Sequence, residues 1–210
     1  GCFLVLFSCV IMATYFNSKV TRFLWSFIFI AVIITVTLWV LFKPIRVLIP
    51  KFFNITCIAN VCIDDTSRYL EALRLYEEAI QLVNSNIGQI KNNPQMVFCS
   101  TEACSLWYGL NKDIAFTISV LGIVISDRGW HPQFIRHEII HHLQNERLGN
   151  IIGPVFKPKW FKEGMAYSLS QISKEPRAVL LEREDKYRSK FEIWYKQVGI
   201  QNLWIEADRL

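Results

Sequence analysis

The 210-residue chain contains no internal repeat and no low-complexity stretch, which points to an ordinary globular domain and not to a repeat array or a disordered tract. It also lacks a dense basic stripe. The net charge of +5 and the sequence pI near 8.9 are mildly basic, so nucleic acid is not expected as a partner. The excess of Lys and Arg is read instead as loop charge beside anionic lipid. Histidine is absent outside residues 131 to 142, where all four lie. Charge is absent from Phe23 to Phe42. These last two gaps divide the chain into an apolar beginning and a part that carries the chemistry.

Hydrophobic residues make up 52% of the chain, and much of the excess precedes residue 50. Phe23 to Phe42 is an uncharged run of 20 residues; as a helix it spans about 30 Å, the thickness of a bilayer core. Trp25 and Trp39 lie near its ends, and Lys43, Pro44, Arg46 and Lys51 follow. A second apolar run, Cys2 to Phe16, precedes it, with Asn17, Ser18, Lys19 and Arg22 as a positive break between the two. The pair reads as a transmembrane hairpin with both chain ends outside the cytoplasm, or as one span preceded by an uncleaved signal-like segment. The expected organisation is an anchor over 1–50 and a second domain over 51–210.

Four of the six cysteines form two pairs of equal spacing, Cys57/Cys62 and Cys99/Cys104. Two local disulfides are expected, hence an oxidising compartment, periplasmic or extracellular. A structural zinc is the alternative, although a metal knuckle usually has two intervening residues and each pair here has four. Asn54-Ile55-Thr56 matches a glycosylation sequon, a weak signal.

Asp64, Asp65 and Thr66 can cap a helix reaching about Asn86, whose apolar face carries Leu73, Tyr76, Ile80, Val83 and Ile87. Short β-like runs follow at Gln95 to Cys99, Leu106 to Gly109, Ile114 to Val120 and Gly122 to Ser126, and predict a small, mostly antiparallel sheet. Pro132 opens a helix that Gly149 ends. Another helix is expected from about Lys159 or Trp160 to Gln171. A charged helix follows from Arg177 to Gln197, with a last turn or two over Ile200 to Asp208. The fold class is α+β.

Within the Pro132 helix stands His137-Glu138-Ile139-Ile140-His141. Helical residues four apart share a face, so both imidazoles can reach one ion, and the intervening Glu138 can be aimed at a metal-activated water. Zinc suits imidazole and acts as a Lewis acid without redox chemistry. Trp160-Phe161-Lys162-Glu163-Gly164-Met165-Ala166 lies on the next predicted helix and supplies Glu163 as a third ligand, leaving a fourth position open.

HEIIH followed by WFKEGMA resembles the gluzincin metallopeptidases, in which aminopeptidase N-like enzymes and the peptidase MA-like domains share the second motif. The resemblance covers about residues 95 to 175 and implies a minimal zincin-like domain. It implies zinc on His137, His141 and Glu163, Glu138 as base and proton shuttle, and Gly122 to Ser126 as the edge strand along which an extended peptide lies. The gap between motifs is longer than in the aminopeptidases, and no Gly-x-Met-x-Asn-like stretch is present to hold a free amine, so exopeptidase specificity is not implied.

A donor for the developing oxyanion is also expected. Tyr167, four residues after Glu163, is the first candidate; Tyr187 and Tyr195 read as packing tyrosines. His131 reads as a helix cap, with contact to substrate as the lesser alternative, His142 as a residue behind the ligands or at the surface, and Arg136 as solvated or paired with a carboxylate. The leading expectation is a membrane-anchored zinc peptidase acting on a peptide or protein. The other classes kept open are a catalytically silent anchored binding or assembly protein with one structural zinc, and a zinc amidohydrolase acting on a non-protein amide.

Overall fold

The computed structural model describes residues 20–37, 39, 43–149, 156–170 and 181–210. The chain forms two units, Gly1–Ile45 and Arg46–Leu210. In the first, helix α1 (Val20–Thr37) has a mean hydropathy of 2.0, and none of it is buried. Phe23, Trp25, Phe27 and Phe29 all stand exposed. The length and composition of the helix suit a membrane span or a signal sequence. The hydroxyl of Thr35 donates to the carbonyl of Ala31 (2.8 Å), which satisfies that polar group inside the helix. The run 2–16 and the end of the second run, 40–42, lie outside the described residues.

The second unit is a five-stranded sheet with helices on both faces. β1 (Thr56–Ile58) and β2 (Val61–Ile63) form a hairpin in which Cys57 faces Cys62, and a disulfide joins them. Helix α2 (Tyr69–Asn86) carries the chain to β3 (Met96–Phe98), which lies parallel to β2. Helix α3 (Glu102–Tyr108), β4 (Ala115–Ile118) and β5 (Gly122–Ile125) follow, and the strand order is β1-β2-β3-β5-β4. A second disulfide, Cys99–Cys104, ties the end of β3 to the first turn of α3.

Three expectations are corrected here. The sheet is mixed, with two antiparallel and two parallel pairings, because a helical crossover between β2 and β3 returns the chain in the same direction. Leu106 to Gly109 is not a strand but the end of α3 and its cap. Thr101 accepts from the Cys104 amide at its start, and Gly109 closes it in the left-handed region (φ 90°), so local caps override the β-like side chains. The edge strand is not Gly122 to Ser126: β5 lies between β3 and β4, and β4 forms the edge.

Strand side chains alternate between two cores. Val61, Ile63, Met96, Phe98, Ile123 and Ile125 face α2, α4 (Pro132–Leu148), α5 (Lys159–Leu169) and α6 (Leu181–Asp208). Cys62, Val97 and Val124 face the opposite side with Val47, Cys104 and Tyr108. Both faces are covered, which is why β2, β3 and β5 are buried throughout. On α2 the buried stripe includes Ala72, Leu75 and Ala79 beside the expected Tyr76 and Val83. Gly199 (φ 71°, ψ 164°) divides α6 near the expected break.

The packing of α5 on α6 depends on Gly164. A Cβ there would stand 2.3 Å from the Tyr187 carbonyl oxygen and 2.7 Å from Phe191 Cβ. Around this crossing Phe161 meets Phe191 and Trp194 edge-on or tilted, at 6.1 and 5.4 Å between ring centres. Alanine in a helix interior ordinarily stabilises by up to about 1 kcal/mol over glycine. Here the obstacle is backbone, which cannot swing aside, and forcing helices apart costs about 1–3 kcal/mol or more. Gly164→Ala is therefore expected to be destabilising, read as a lower urea midpoint for the detergent-solubilised chain.

Candidate metal centre

Helix α4 begins with Pro132 at its first position and ends at Gly149 (φ 97°). Its length is enough to place His137 and His141 one above the other, with ring centres 4.6 Å apart. Helix α5 crosses beside it and brings in Glu163. His137, His141 and Glu163 form a group that could hold a metal ion. The Nε2 atoms of the two rings are 3.0 Å apart, and Glu163 Oε2 lies 3.5 Å from His141 and 3.7 Å from His137. A point equidistant from three atoms so placed lies about 2.0 Å from each, a bond length suited to a small divalent cation. Two imidazole nitrogens and a carboxylate oxygen at such range need positive charge among them, either a proton or a cation. The donor set therefore fits a metal ion, and its identity is not given by these distances.

The surroundings bias the site toward cations. Burial works against charging His141, but the hydrogen bond and charge of Glu163 outweigh it, with help from Glu138 and Gln144, and its pKa is pushed up to about 8. For Glu163 burial opposes ionisation too, and the two imidazoles overcome it, holding the carboxyl well below the usual carboxylate range.

Glu138 is buried next to the ligands, and Thr117 on the edge strand reaches it: the hydroxyl lies 2.6 Å from Glu138 Oε2 and 3.0 Å from its carbonyl oxygen. Its single proton can donate to only one at a time. Tyr167, one turn after Glu163, packs its ring 4.6 Å from that of His137. Gln144, one turn after His141, stands with Oε1 2.9 Å from His141 Nδ1 and donates from Nε2 to the Lys162 carbonyl (3.0 Å).

The remaining residues singled out in the sequence lie elsewhere. His131 occupies the expected N-cap position, where its carbonyl accepts from the Phe134 and Ile135 amides; its side chain makes no cap bond, is exposed and rests edge-on against Phe134. His142 is fully buried, not at the surface; its Nε2 donates to the Asn92 carbonyl (2.8 Å), and burial lowers its pKa. Beside it Glu146 accepts the amides of Lys91 and Asn92, so this pair fastens the loop before β3 to α4. Arg136 pairs with Glu78 of α2. Tyr195 stacks on Phe191 at 5.3 Å as a packing residue, and the backbone of Tyr187 abuts Gly164. Thr117 and Gln144 were missed in the sequence. The i, i+3 spacing of Gln144 from His141 was a usable signal, whereas Thr117 reaches the site only through sheet pairing.

A divalent ion must displace the proton from His141. Below about pH 8 that ring is protonated in the metal-free protein, so apparent affinity is expected to fall as pH falls, by about tenfold per unit between pH 7.5 and 6 from this one proton. It should level off above pH 8. Calorimetric titration with Zn2+ or Co2+ in buffers of different ionisation enthalpy measures both the slope and the proton released. The chain as a whole matches no protein-family model, no curated protein and no solved structure.

Proposed function

We propose that this chain is a membrane-anchored, zinc-dependent peptidase of gluzincin type, with a zincin-like domain outside the cytoplasm. The observation that carries the reading is the meeting of His137 and His141 from α4 with Glu163 from α5 around one point, with Glu138 buried beside them. Two imidazoles and one carboxylate favour zinc over the hard, oxygen-seeking cations and leave a coordination position open. Helix α1 supports attachment to a membrane, and the two disulfides support an oxidising compartment.

Zinc, when bound, supplies a Lewis acid that polarises a carbonyl and brings the pKa of water toward neutrality. The work of the chain's own groups follows from where they sit. Glu138 takes the proton of the attacking water and delivers it to the departing amine. Thr117 holds that carboxylate in place from the edge strand. The outer edge of β4 can pair with an extended peptide by adding one more strand, which would bring a scissile bond along the strand that touches Glu138. Tyr167, against His137, is the candidate donor to the oxyanion.

Metal analysis together with Glu138→Gln tests this reading. The variant is expected to keep one zinc per chain and to lose peptide hydrolysis by about 10²–10⁴-fold. Hydrolysis that persists unaltered refutes the mechanism. Full metal occupancy without turnover of a broad peptide library refutes peptidase activity and favours an anchored binding or assembly protein. Thr117→Val is expected to lower kcat more than KM, because it frees the base without touching the strand's backbone; equal loss in both would contradict the role given to Thr117.

A further inference from the structure

We propose that Gln144 is a positioning residue that fixes the tautomer of His141 and couples it to the backbone carrying Glu163. This rests on the metal-centre reading above but not on the peptidase reaction. The argument starts at the Lys162 carbonyl, which can only accept. Gln144 presents its amide nitrogen to that oxygen at 3.0 Å, and this fixes which way round the side-chain amide lies. Its Oε1, also only an acceptor, then faces His141 Nδ1 at 2.9 Å. Nδ1 must therefore carry the proton. The neutral ring is left with its lone pair on Nε2, the atom turned toward His137 Nε2 and Glu163.

Gln144 is 2% exposed, so water does not compete for either bond. Both contacts lie between neighbours that matter to the site. One is a ligand ring on α4; the other is the carbonyl of Lys162, the residue immediately before Glu163 on α5. The amide thus sets the distance between the two ligand-bearing helices at the height of the ligands. The two histidines differ in this respect. Among the described residues no hydrogen-bond partner reaches the buried Nδ1 of His137, whose ring is instead packed by Tyr167. Glutamine suits the post because its amide holds a donor group and an acceptor oxygen in a fixed relation, and a hydrocarbon of the same length offers neither.

The decisive measurement is made on the full metal-free chain in detergent micelles, with ring-15N histidine, at the high-pH plateau where the His141 ring shifts no longer change with pH. Long-range 15N–1H correlation is expected to show His141 as the Nδ1–H tautomer. Gln144→Leu should lose that preference and weaken Zn2+ or Co2+ binding about 10–100-fold. Gln144→Glu, whose carboxylate still accepts from Nδ1–H, should retain the tautomer, and it keeps the test available should the leucine variant fail to fold. A residue that merely packed would change thermal stability and leave the tautomer as it was. An Nε2–H tautomer in the unsubstituted protein overturns the proposal, as does native metal affinity in a folded Gln144→Leu chain. Failure of the unsubstituted protein to bind either metal overturns the metal centre instead, while the tautomer still decides the part assigned to Gln144.

Discussion

Lone pairs crowded together repel unless something positive lies between them. The second unit of this chain brings that constraint to the meeting of two helices. Three donor atoms from two helices stand 3.0 to 3.7 Å apart, and the helices are not free to separate and relieve the crowding. Helix α4 is held by the apolar face of the sheet and by ion pairing to α2 through Arg136 and Glu78. Helix α5 is pressed against it from the other side by α6 at backbone contact distance. Any affinity for a cation would then depend on the scaffold and not only on the three side chains, because packing maintains the close approach.

The parts of the site that were readable in the sequence are the parts whose geometry is local. His137 and His141 share a face because a helix turns 3.6 residues at a time, whatever surrounds it. Glu163 could be placed because Lys159 to Leu169 has the composition of a helix and follows within reach. The equal spacing of the two cysteine pairs suggested two local disulfides but left their connectivity open; the structure joins Cys57 to Cys62 and Cys99 to Cys104. Gly149 marked a helix boundary through backbone freedom that other residues lack.

What could not be read is mostly pairing at a distance. Strand order in the sheet depends on which crossover packs on which face, and α2 between β2 and β3 makes the centre parallel where a run of short strands suggested hairpins. The same ignorance misplaced the edge, and with it the strand that touches Glu138. Thr117 lies 21 residues before its partner and joins it only because β4 is folded out to the rim. The misreading of Leu106 to Gly109 had another cause: Leu-Trp-Tyr is a plausible strand by composition, and the capping threonine and terminal glycine that decide the matter lie outside it.

The glycine after Glu163 does no chemistry, yet it sets a dimension. With no side chain there, α6 lies against α5 at the separation of main chain on main chain, with an aromatic cluster closing round the crossing. Glu-Gly in this chain is therefore a gauge as well as a motif: the first residue brings a carboxylate to the candidate metal centre, and the second specifies how thick the wall behind it can be. Any chain of this architecture with a bulkier residue at that point needs its terminal helix shifted outward, whatever its histidines do.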